Sequence, residues 1–278
     1  MLVILLAVLA VTIALRASWW TAAPVPEVTP TTEAPSPSEG RSDISIVDLK
    51  MVAQQLSDGN PGSTDEAKTF YSSRLASAHM HLIGTGQMCP LHIHRTTDEV
   101  TIIITGDPTV SHAWGEGSTA SDKMPPHTLV MSPPFTGHEW YNDTGAPQAN
   151  LVIGFPAFDG NLYLRPDDDR MREGKPPVVY SVSDELDEFE AGDAPVDEHT
   201  FNFMEGRFKR VLVREEWSVE PSDQHMIIYV ASGKGELNVP TNAPLYPGIL
   251  AVMRLKDGAS LRVTEGTLGL YVFQPPVN

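Results

Sequence analysis

Short runs of β-branched and apolar residues, cut by Gly, Pro and Asn-Asp turns, dominate this chain from residue 70 onward. EVTIIITG (99–106), TLVMSPP (128–134) and ANLVIGF (149–155) are followed by RVLVREEW (210–217), MIIYV (226–230) and LGLYVF (268–273). Runs this short, closely spaced and almost without a long helical period, predict strands of a sandwich or barrel. The 24 prolines argue the same way, because proline breaks a helix interior. Apolar residues at 41% and charged residues at 20% suit a chain that buries a core. A length of 278 residues allows one large domain or two small ones. One helix is expected near the start of the folded part, where Leu49, Val52, Ala53 and Leu56 fall at i, i+3, i+4 and i+7. The turn residues of DGNPGST (58–64) end it.

Charge removes whole classes of function. There are 36 acidic and 19 basic residues, a net charge of −17. Such a surface repels phosphate backbones and anionic headgroups, which excludes a nucleic-acid partner and a polybasic membrane adaptor. The single cysteine can form neither an internal disulfide nor a thiolate zinc site. Residues 184–198 carry many acids and no base, which reads as a solvated link, since their spacing matches no calcium loop.

The N-terminus is read apart from the fold. Residues 1–15 are apolar except for Thr12, and Arg16 closes the run. Fifteen residues fall short of the roughly 20 that span a bilayer. They match the apolar part of a secretory signal without its basic leader, and Trp19 and Trp20 resemble an interfacial belt. Cleaved signal and retained membrane anchor both stay open. The expected location is therefore outside the cytoplasm: periplasmic, extracellular or anchored by this segment. Residues 22–40 have prolines at 24, 26, 30, 35 and 37, a composition expected to give a disordered tether.

Histidines carry the chemistry. Of the nine, His92 and His94 stand at i and i+2, on one face of a strand. Glu99 opens the next apolar run, and His138 follows Pro133-Pro134 and precedes Asn142. Three imidazoles and a carboxylate suit one borderline divalent metal (Fe, Mn, Ni or Zn) with positions left for water or substrate.

The spacing Gly86-x5-His92-x-His94-x4-Glu99-x6-Gly106 resembles the first motif of the cupin family at every fixed position. SPPFTGHEWYN (132–142) resembles the second, with Pro133, His138 and Asn142 in place. Phe135 stands where that motif has glycine, and His127-Thr128 stands where Gly-Asp is usual. The resemblance spans roughly residues 70 to 158. It implies an all-β, double-stranded β-helix barrel with His92, His94, Glu99 and His138 as metal ligands. With Gly233 set opposite Gly106, and Gly258 opposite Gly137, the later block puts Val219, Pro221, Met226 and Ala259 at the ligand positions. A second, degenerate barrel is expected. The expected organisation is a leader over 1–20 and a Pro/Thr/Ser-rich linker over 21–46. A metal-binding barrel (47–160), an acidic linker (161–199) and the degenerate barrel (200–278) follow.

Other residues are weaker candidates. His79 and His81 alternate with Ala76, Ala78, Met80 and Leu82, an equally good inner face, so the histidines are expected to point outward. Asp98 is expected to point opposite Glu99, and Cys89, three residues before His92, away from the metal. Trp140 and Tyr141 stand either at the pocket mouth or in packing, and Asp167-Asp168-Asp169 reads as a solvated loop. The resemblance favours an oxygenase acting on a small organic substrate. The alternatives are a non-catalytic binding or sensing module tethered at the membrane, and a metal-dependent isomerase, lyase or decarboxylase. A homo-oligomer fits any of these. No catalytic residue beyond the ligands is identifiable from spacing.

Overall fold

The structure, a computed structural model, describes residues 44–59, 66–165, 167–239, 242–254, 256 and 258–276. The apolar leader, most of the tether and most of the turn after the first helix lie outside the described residues. Among the described residues no helix is long and apolar enough to cross a membrane.

Strand β1 (Ile44–Asp48) leads into helix α1 (Leu49–Gly59). Then come β2 (Glu66–Ser72), β3 (Ser77–Ile83), β4 (Met88–Ile93), β5 (Asp98–Thr105) and β6 (Thr109–Trp114). The first half ends with β7 (Ser118–Lys123), β8 (Thr128–Ser132), β9 (Gly137–Tyr141) and β10 (Gln148–Phe155). β11 (Leu162–Tyr163), β12 (Val178–Ser181), helix α2 (Ser183–Ala191) and β13 (Val196–Thr200) lead into the second half. It comprises β14 (Phe208–Val213), β15 (Glu216–Val219), β16 (His225–Asn238), β17 (Ala243–Leu245), β18 (Ile249–Arg254) and β19 (Ala259–Phe273).

Two sheets build the first barrel: six strands in the order β12-β8-β5-β10-β3-β2, and five in the order β11-β4-β9-β6-β7. The second barrel is a single eight-stranded sheet, β1-β18-β16-β19-β14-β13, with β15 on β19 and β17 on β16. Its long strands β16 and β19 shift register near Val230 to Gly235, so one sheet serves both walls. The two six-strand paths match position for position. Each half opens with a strand and a helix, and that leading strand joins the other half's sheet: β1 pairs with β18, and β12 with β8.

Each barrel has its own interior. Ile83, Cys89, Ile103, Val110, Met124, Val130 and Trp140 fill part of the first, and Val213, Trp217, Val230, Leu261 and Leu270 fill part of the second. A third and larger core lies between the halves, where Ala78, Met80, Ile102 and Leu151 meet Phe208, Leu212, Ile227 and Phe273, with Leu49 of α1 and Phe189 of α2. Strands such as β5 and β10 are thus buried on both faces.

Two expected linkers are folded in part. Ile44 to Ile46, assigned to the tether, belong to β1. The acidic stretch 161–199 is no plain solvated link, because it supplies β11, β12, α2 and β13. Asp184 and Glu185 sit in the first turn of α2, where carboxylates offset the helix dipole. Glu185 and Asp197 both pair with the buried Arg210.

Candidate metal centre

The alternation of β4 and of the residue that follows it turns His92 and His94 into the barrel and Ile93 to its outer side, where Ile93 packs with Leu91, Leu164 and Met171. His138 on β9 lies directly opposite His92. Glu99, the second residue of β5, comes from the facing sheet. All four are buried, and one ligand-type atom from each lies within 4.8 Å of the others. Their imidazole centroids are 4.2 Å (His92–His138), 5.2 Å (His92–His94) and 5.5 Å (His94–His138) apart.

Backbone carbonyls fix how these rings face. Nδ1 of His92 donates to Pro90 O at 2.8 Å, Nδ1 of His94 to Gly160 O at 3.3 Å, and Nδ1 of His138 to Thr136 O at 3.1 Å. A carbonyl only accepts, so each Nδ1 holds a hydrogen and each Nε2 is left as the candidate ligand atom. Glu99 Oε2 lies 2.9 Å from His94 Nε2 and 3.5 Å from His138 Nε2. The longer distance is no hydrogen bond, and His138 Nε2 stays unpartnered in the dry interior. Thr101 Oγ1 holds the other carboxylate oxygen at 2.7 Å.

Electrostatics agree with a cation at this point. Burial alone would raise the Glu99 carboxyl, but His138 and His94 hold it well below the usual range. Burial would lower His138, yet Glu99 raises it. Burial, with His138 beside it, pushes His92 far down. With Nε2 deprotonated, three imidazoles beside an ionised carboxylate make the donor set of a divalent metal, and the strands of the barrel keep it rigid.

The remaining candidates sort as follows. His79 and His81 do not point outward: they share a face with Ile83 of the barrel interior, while Ala76, Ala78, Met80 and Leu82 face the second half. Phe158 lies edge-on to both His79 (5.4 Å) and His94 (4.8 Å). Cys89 also lies inside the barrel, because the register shift between Cys89 and His92 cancels the odd spacing. Its Sγ is 3.8 Å from His92 Nδ1, and burial, then Glu99, push its thiol up to about 12, which leaves it inert as expected. Asp98 is half-buried, with its pKa raised by burial. Trp140 packs in the barrel core and Tyr141 is exposed, so neither caps the site; the exposed Tyr163 lies beside His92, with ring centroids 5.8 Å apart. Asn142 closes the turn after β9, its amide donating to Ile83 O and Ala146 O. Asp168 caps a short 3-10 helix (169–173) and pairs with Arg170.

Spacing left one interior histidine unnoticed. His112 on β6 lies opposite His138 and is buried, with its imidazole lowered to about 3 by burial and then by His138. The alternation of Val110, His112 and Trp114 with Thr109, Ser111 and Ala113 was the signal that marked its inward face. In the second barrel, Val219 lies opposite Ala259 as His92 lies opposite His138, and Met226 is the second residue of β16 as Glu99 is of β5. The ligand positions are occupied there by apolar residues.

No protein-family model and no curated protein matches this sequence. Solved structures do. Salicylate 1,2-dioxygenase from Pseudaminobacter salicylatoxidans superposes with a TM-score of 0.59 at 15% identity, over 92% of this chain and 88% of that one. A variant of that enzyme in complex with gentisate gives 0.60 at 13% identity, over 86% and 83%. A cupin 2 conserved barrel domain protein from Leptotrichia buccalis gives 0.57 at 6% identity, over 84% and 96%. By its sheet order, its internal repeat and these likenesses, the chain has the two-barrel cupin fold, with one His-His-Glu-His quartet in the N-terminal barrel.

Proposed function

We propose that this protein is a metal-dependent oxygenase acting on a small organic acid, with His92, His94, Glu99 and His138 holding one divalent metal. The observation that carries the reading is the set of three carbonyl-locked imidazoles whose Nε2 atoms gather beside an ionised, buried carboxylate. The fold shared with a salicylate 1,2-dioxygenase, a variant of which was solved in complex with gentisate, supports the substrate class. A bound metal would supply Lewis acidity and exchangeable positions for substrate and dioxygen. The chain's part is to orient and to exclude water. Pro90, Gly160 and Thr136 fix the rings, Thr101 fixes the carboxylate, and Phe158 and Tyr163 lie against the rings of His94 and His92.

Anaerobic loading with Fe(II), followed by oxygen uptake against gentisate, salicylate and related small acids, tests this. Uptake with at least one of them is expected in wild type, and loss of both uptake and metal in His94→Ala. Turnover without oxygen consumption would instead assign an isomerase, lyase or decarboxylase. Saturable binding without turnover would assign a binding or sensing module. For location, the apolar run at 1–15 and the proline-rich stretch behind it support export or anchoring. N-terminal sequencing of the mature protein and membrane fractionation separate the two.

A further inference from the structure

We propose that His112 is a positioning residue that holds, through Nε2, the exchangeable molecule at the metal: water at rest, an anionic oxygen of the substrate in use. This rests on the metal reading of the quartet.

His112 is 3% exposed, and its Nε2 is buried without a hydrogen-bond partner among the described residues. A buried polar atom left unpaired is costly and marks a place where a partner belongs. Its direction is set by the sheet. His92, His138 and His112 lie side by side on β4, β9 and β6, and side chains directly opposite each other share a face. Along the same strand, Val110 enters the barrel interior with Cys89 and Trp140, so His112 enters it too. Yet His112 does not join the quartet whose atoms lie within 4.8 Å of one another. It approaches the same chamber from one strand further on. An imidazole in that place stands beside the candidate ligands rather than among them. Neutral imidazole donates or accepts according to its tautomer, so it serves water and an anionic oxygen through water or directly.

Cobalt and azide make this testable without turnover. Wild type, His112→Phe and His112→Gln are loaded with Co(II), and cobalt content is measured by elemental analysis. Azide is then titrated against the visible cobalt bands, with circular dichroism as the check on folding. Expected are one cobalt per chain in all three, azide affinity weaker by about tenfold in His112→Phe, as for one lost hydrogen bond, and recovery in His112→Gln. His112→Ala replaces the Phe variant if that one does not fold. Unchanged azide affinity with full cobalt overturns the proposal and leaves the metal reading intact. Loss of cobalt in folded His112 variants overturns it by making His112 part of the metal's own hold. Failure of wild type to take cobalt removes the metal reading and this proposal with it.

Discussion

Each imidazole of the quartet is held at Nδ1 by a carbonyl from its own strand or a nearby loop, and the carboxylate is held by Thr101. Such outer contacts are worth about 10–100-fold in metal affinity. Thr101→Val keeps the shape and removes the donor to Glu99, so metal affinity is expected to fall by about that factor, measured by competition with a chelating dye. The quartet was legible because its spacing is strict and its residue types are rare in an apolar strand. Thr101, two residues after Glu99 on the same face, and Phe158, far along the chain, were not legible, since Thr and Phe are ordinary strand and packing residues. Cys89 misled for a different reason: counting by twos fails wherever a strand slips register. Phe135 shows how a missing glycine is tolerated. It keeps φ at 63°, the left-handed conformation glycine would take, with its N–H bonded to His94 O and its ring among Leu91, Ile93 and Met171.

At the level of strands, alternation told which residues share a face but not which face is inner. β3 is the clear case, because Ala78, Met80 and Leu82 fill the inter-barrel core while the half-buried His79 and His81 share the barrel side with Ile83, and apolar alternation alone points only to the first as inner. The repeat was legible from its glycines. Gly106 and Gly233, at φ of 83° and 70°, mark the same break in the two halves. At Gly233 a Cβ would lie 2.2 Å from the backbone oxygen of Thr267, whereas at Gly266, with φ of 68°, it would meet open space. Gly233→Ala is therefore expected to cost about 3 kcal/mol or more and to lower Tm by roughly 6–12 °C. Gly266→Ala should cost about 1–2 kcal/mol. Equal drops in calorimetry would mean that the close approach at Gly233 carries no weight.

Over the whole molecule, the two halves are bound by exchanged strands, a shared core and a polar link. In that link, His127 Nδ1 meets the Tyr229 hydroxyl at 2.5 Å, and the Tyr271 hydroxyl donates to His127 O. Halves so joined should melt together, with calorimetric and van't Hoff enthalpies in agreement. A bound metal at about 100 times its Kd should raise that single Tm by roughly 5–10 °C, although it sits in one barrel only. Two separate transitions, with one insensitive to metal, would show that the shared core does not couple them. Burial, with Lys50 nearby, lowers His127 from 6.5 to about 4. The unfolded chain then binds the extra proton first, so stability from this contact is full above about 6.5 and is lost as pH falls toward 4. His127→Asn, which tolerates the left-handed backbone at φ of 69°, should flatten the difference in Tm between pH 7.5 and 4.5 relative to wild type. The strand exchange also dictates an order of events on the ribosome. β1 leaves the tunnel first but has no sheet to join until Ile249 to Met253 are made, and the first barrel lacks its edge until Val178 to Ser181 emerge. A nascent chain halted after β10 therefore carries two unmatched borders at once, and synthesis that pauses there invites pairing with a neighbouring chain rather than with itself.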